Sequence, residues 1–209
     1  MMLYERDYIL RVIAEMGRML RALRDAATVE IRLGMLDAAC RAQCGLSLKA
    51  ACTMTVDSLL ALLPREAQLR LSMLLSACAE TALPDEEDAA PVRARSLRLM
   101  LASAEGPEAA SALAAQLDGL LRASLPLLTA EDLLACAAFF REGGRYDLMD
   151  NAAFFLWETL PTAGKDKQRA ALSALYDGLD EARLSACGMT RGDLADSLRL
   201  LNDERMVKP

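Results

Sequence analysis

The chain has 209 residues, 54% of them apolar, and a formal net charge of −6. That length can bury a sizeable core as one or two domains, and the acidic balance argues against a nucleic-acid partner, whose electrostatic footprint is basic. Histidine is absent. Its loss removes the commonest general base and metal ligand, and with them any Ser-His, Cys-His or H-E-x-x-H site.

Alanine and leucine dominate, and they are the strongest helix formers. The start, Met1 to Asp7, carries charge where a secretory leader needs an apolar run, so the expected location is the cytoplasm. No uncharged stretch approaches the roughly 18 residues of a membrane span. The first helix is expected over Tyr4 to Asp25, with Ile9, Ile13, Met16, Leu20 and Leu23 spaced by four and three. Such a seam can dock on a neighbouring helix or pair two copies of the chain. Arg11, Arg18 and Arg21 fall largely off it, interleaved with acids as on a solvated face.

A second helix is expected over Thr28 to Cys44, stopped by Gly45. Residues 45–54 read as irregular. Thr55 is placed to cap a short helix ending at Pro64, and Glu66 to Ala82 form another. Pro84 to Pro91 brackets four acids and reads as a linker between residues 1–83, an N-terminal helical bundle, and residues 92–209. A helix follows to Ala104, and Gly106-Pro107 opens the next, to Ser124. Thr129 with Glu131 and Asp132 starts a helix to Glu142. Tyr146 to Leu160 is its antiparallel mate across Gly143-Gly144. One long helix is expected over Lys165 to Cys187, and a last one follows Thr190. No segment alternates as a strand. The fold class is therefore all-α, with about nine or ten helices in antiparallel hairpins.

Pro91, Pro126 and Pro161 stand 35 residues apart, close to a helix-turn-helix repeat period. Gly144-Arg145-Tyr146-Asp147, with Ala137, Phe140 and Pro161, resembles the turn and end of a tetratricopeptide unit, although Met149 stands where alanine is usual. Asp7-Tyr8-Ile9-Leu10-Arg11-Val12-Ile13, followed by Gly45-Leu46 and Leu59 to Leu63, resembles a family of Gram-positive bacterial proteins. That family is known as a domain of unknown function with tetratricopeptide-like helices. The resemblance implies a degenerate α-α superhelix over most of the chain and transfers no catalytic residue.

The densest chemical feature is aromatic. Phe139, Phe140, Tyr146, Phe154, Phe155 and Trp157 all lie in the one hairpin. Aromatic rings dominate cores and interfaces alike, so this hairpin is either the centre of the fold or a partner-binding surface. The six cysteines lie in apolar helical stretches without a C-x-x-C. Cys40, Cys44 and Cys52 come close together in sequence but lack the four ligands of structural zinc. Acid pairs at Glu86-Glu87, Glu131-Asp132, Asp147/Asp150 and Asp203-Glu204 fall at expected helix ends, where acids serve the helix dipole. Arg191-Gly192-Asp193 spells an adhesion tripeptide within a first helical turn. The expected function is non-enzymatic: capture of an unidentified protein partner in an inter-helix groove, without cofactor or metal. The alternatives are a homodimer or larger oligomer built on the first helix, and a carboxylate- or metal-dependent enzyme.

Overall fold

The computed structural model describes residues 2–83, 85–160 and 162–202, with side chains other than those of 2–8, 162–164, 166–167 and 202. Pro84, Pro161, the Asp203-Glu204 pair and the tail 206–209 lie outside the described residues. The described chain is all-α, with twelve helices and no strand. The helices are α1 (Met2–Asp25), α2 (Val29–Cys44), α3 (Leu48–Thr53), α4 (Val56–Leu62), α5 (Arg65–Thr81) and α6 (Glu86–Ser103). They continue as α7 (Pro107–Ser124), α8 (Ala130–Glu142), α9 (Tyr146–Thr159), α10 (Thr162–Leu175), α11 (Glu181–Ala186) and α12 (Arg191–Asn202). A 3-10 turn at Leu125–Leu127 follows α7.

Two helices were not expected. α3 forms because Ser47 caps it, its hydroxyl accepting from Ala50 N at 3.2 Å, and because Asp37 accepts from Leu48 N at 2.7 Å. The long helix expected over Lys165 to Cys187 is broken at Gly178, which takes φ +65°, and restarts at α11 under the cap Asp180. The predicted linker is a further difference. α6 begins at Glu86, so most of the acidic segment is helical, with Glu86, Glu87 and Asp88 in its first turn and Pro91 inside it. Acids at that end complement the helix dipole, while Pro91 lacks only one backbone donor.

The chain forms two compact units: 1–105 with 115–127, and 106–114 with 128–209. The division therefore does not follow residues 84–91. In the first unit α5 is the core helix, with every residue from Leu71 to Ala79 buried. It pairs with α6, and small residues bring the two backbones close. Ser72 Oγ donates to Ser96 O at 2.8 Å and Ser96 Oγ donates to Ser72 O at 2.8 Å. Arg65 Nε donates to Ser103 O at 2.7 Å, so the pairing runs antiparallel. α1 and α2 pack on α5 as well, with an Arg70–Glu15 ion pair at 3.0 Å and Arg32 Nη1 donating to Thr81 O at 2.9 Å.

In the second unit α8 and α9 form an antiparallel hairpin, with α10 packed against both and α12 against α9 and α10. The 35-residue proline period does not mark equivalent positions. Pro91 lies inside α6 and Pro126 in the 3-10 turn, and α6 takes α5 as its main partner.

Candidate functional site

The aromatic hairpin begins with a reciprocal cap. Thr129 Oγ1 accepts from Asp132 N at 3.2 Å, and Asp132 Oδ2 accepts from Thr129 N at 2.9 Å. Its turn is Gly143-Gly144, with Gly144 at φ +71°. A Cβ at Gly143 would meet backbone atoms of Ala110 and Ser111 at 2.7 Å, so only glycine allows this approach to the start of α7.

The rings proposed above as a partner-binding set are mostly interior. Phe140 is fully buried, and Tyr146, Phe139 and Trp157 are 4%, 6% and 7% exposed. Phe154 and Phe155 are half-buried. Phe139 and Phe140 meet edge to face, centroids 6.3 Å apart. Lys165 Nζ lies 4.6 Å from the Trp157 ring centroid, a cation–π contact. Trp157 also lines a tight cleft with Leu172, Leu198 and Leu201 that has no room for water. α9 carries apolar bulk over a wide arc because it packs on α8, α10 and α12. A ring held this way reaches a partner only if the hairpin opens.

An open groove does lie beside the hairpin. It holds about 360 Å³ and is lined by Ala138, Arg141 and Glu142 of α8, Tyr146 of α9, Leu175 of α10, and Gly178 and Leu179 of the following turn. Arg141 Nη2 donates to Asp177 O at 2.7 Å, and Tyr146 Oη accepts from Asp180 N at 3.3 Å, so both walls are fixed. Arg141 Nε is buried and finds no acceptor among the described residues. Of these residues only Tyr146 was singled out by the sequence as a site. Ala138, Leu175 and Leu179 carry no chemical signal.

Members of three of the acid pairs make structural contacts among the described residues. Asp147 takes a bidentate pair from Arg145, at 2.9 and 2.7 Å, and that contact holds its carboxyl below the usual range. Asp150 accepts from Tyr176 Oη at 2.7 Å and from Ser197 Oγ at 3.2 Å, tying α9 to the turn after α10 and to α12. Glu86 pairs with Arg93, and Asp132 is the cap already described. In the tripeptide Arg191-Gly192-Asp193, Arg191 pairs with Glu181 at 2.7 Å and Asp193 accepts from Thr190 at 2.7 and 2.8 Å. The arginine and the aspartate are therefore both engaged.

The seam of α1 is occupied within the chain. Ile9, Met16 and Leu23 are buried, while Ile13 and Leu20 are half-buried. All six cysteines are free thiols. No group of three or more Cys, Asp or Glu among the described residues is arranged to hold a metal ion, and no described helix is long and apolar enough to cross a membrane. No family model, curated protein or solved structure matches the chain.

Proposed function

We propose that this protein is a non-enzymatic interaction module of the bacterial cytoplasm, which captures a short segment of a partner protein in the groove between α8 and the 175–179 turn. The observation that carries this reading is the groove itself. It is concave, its walls are fixed by hydrogen bonds, and at about 360 Å³ it falls within the range of ligand clefts. Its lining suits a peptide. Leu179 and Ala138 offer apolar surface to an anchor side chain, and Arg141 and Glu142 offer charge to a backbone or polar flank. The α8–α9 hairpin, with its Gly-Gly turn and interior aromatics, is the part that supports a tetratricopeptide-like description. In this reading the buried rings make the groove rigid and do not themselves touch the partner.

A photo-crosslinking residue placed at the exposed Ala138 tests this in bacterial cells. A discrete adduct is expected from position 138 and none from Ala195, an exposed site on α12. A second substitution, Leu179→Asp, should abolish the adduct. Labelling of equal pattern at both positions, or an adduct indifferent to Leu179→Asp, would remove the groove as the recognition surface.

A further inference from the structure

α1 buries Ile9, Met16 and Leu23, yet a second apolar line runs beside that seam. Leu10, Ile13, Gly17 and Leu20 follow one another at spacings of three and four, so they share one flank of the helix. Leu10 is 45% exposed, and Ile13, Gly17 and Leu20 are half-buried. A Cβ at Gly17 would meet nothing within 4 Å, so this side of the helix is open. Glycine weakens a helix interior, and what it offers instead is close approach of another backbone. Exposed arginines accompany the line: Arg11, Arg18, Arg21 and Arg24. Arg18, Arg21 and Arg24 have no acceptor among the described residues. The acids of α1 with described side chains are Glu15, tied to Arg70 at 3.0 Å, and Asp25 at the helix end.

The first unit also holds an open groove of about 600 Å³. It is lined by Glu80 of α5, Glu86 and Arg93 of α6, and Ala115, Gly119 and Ala123 of α7. Residues four apart form a ridge on a helix, and small side chains along it let another helix lie close. A Cβ at Gly119 would meet nothing within 4 Å. Arg93 pairs with Glu86. Glu80 accepts from Ser76 Oγ at 3.1 Å and pairs with no cation among the described residues. Next to Glu86, the exposed Asp85, Glu87 and Asp88 pair with no described cation either. The mouth of the groove therefore carries surplus negative charge.

We propose that this groove receives α1 from a second copy of the chain. The Leu10–Leu20 line lies along Ala115, Gly119 and Ala123, and Arg18 and Arg21 face Glu80 and Glu86. Charge complementarity selects this occupant: the open helix face is basic, the groove is acidic, and every copy carries both. Two α1 helices laid on each other would instead set arginine against arginine. Copies of an acidic chain repel at long range, but at physiological salt that repulsion is screened beyond about 8 Å, while pairs in contact keep their attraction. The contact uses the first unit alone and is independent of the groove between α8 and the 175–179 turn.

The test is sedimentation of the full chain at about 50 µM, where weak specific association is visible. A reversible dimer or larger oligomer is expected at about 0.15 M salt, with affinity lower by about tenfold or more at about 0.5 M. Two variants reverse the charges, one with Arg18→Glu and Arg21→Glu, the other with Glu80→Arg and Glu86→Arg. All four side chains are exposed, so helicity by circular dichroism should hold. Each variant alone should be monomeric. An equimolar mixture should associate again, because each supplies the charge that the other has lost. The unsubstituted chain decides the matter even where a variant fails to fold. If it stays monomeric, the proposal is overturned; binding of that monomer to phosphatidylglycerol vesicles would assign the basic face to a membrane surface. An oligomer indifferent to salt and to both reversals, or folded variants whose mixture remains monomeric, would overturn it as well.

Discussion

At the scale of single residues, arginines and serines do work that composition does not reveal. Arg32, Arg65, Arg95, Arg98 and Arg141 each donate to a carbonyl at a helix end or turn, at Thr81, Ser103, Met54, Leu127 and Asp177. The last carbonyls of a helix lack internal partners and carry its negative dipole end, so a guanidinium satisfies both needs. Gln68 does the same in neutral form, giving its amide to Leu60 O and Leu63 O at 3.1 and 2.8 Å. Glycine decides the hairpin turn. Gly143→Ala would push a methyl group into backbone atoms at 2.7 Å, which cannot swing aside as a side chain can. The expected loss is about 2 kcal/mol or more, typical of an overpacked site. It should be read as a lower urea midpoint with an unchanged slope.

At the scale of elements, caps explain most boundaries. Thr28, Ser47, Thr55, Thr129 and Asp180 each accept from the backbone of the helix they open. Thr129→Ala removes one half of the α8 capping box and should cost about 1 kcal/mol. Hydrogen exchange would show the loss first at the amides near Asp132. These caps made much of the fold legible in the sequence. Periodicity and capping residues located ten of the helices, several to within a residue or two. The rest depended on partners distant in sequence. α3 is only six residues long and draws on Asp37, eleven positions before Leu48. The start of α6 ahead of Pro91 is hidden by a residue that usually marks a helix start. The site was less legible still. Aromatic clustering cannot say whether rings face inward, because α9 is apolar over a wide arc on either reading. The groove residues Ala138 and Leu179 are chemically plain.

At the scale of the whole molecule, the titratable groups set a simple pH profile. With no histidine, little titrates between roughly pH 5.5 and 7.5, so stability should be flat there. The alkaline side is different. Burial pushes the thiols of Cys40 and Cys136 up to about 12 and that of Cys44 to about 11, from an ordinary 9.0. Burial, with a hydrogen bond to Asp150, also raises Tyr176. Below pH 9 these groups are neutral in both states and their contribution is fully present. As the pH climbs, the unfolded chain sheds protons that the folded chain keeps, and stability falls until the folded thiols ionise as well. Three such thiols together give a slope of about 4 kcal/mol per pH unit. Urea midpoints measured from pH 6 to 11 under reducing conditions should show a plateau and then a steep decline. A decline beginning near pH 7 would show that another group controls stability.

In the proposed function the second unit recognises a partner through its groove and uses its aromatic rings as a frame. The most direct measurement is a titration of the crosslinked partner, once identified, against Ala138→Arg protein, with unfolding midpoints recorded in parallel. The expected result is a loss of affinity of about 100-fold, or ~2.7 kcal/mol, at an unchanged midpoint. Trp157→Ala should instead lower the midpoint sharply, through a destabilisation of about 3–5 kcal/mol, as truncation of a buried ring does. Full affinity in Ala138→Arg, or a Trp157→Ala protein that stays as stable as the wild type yet no longer binds, would contradict it.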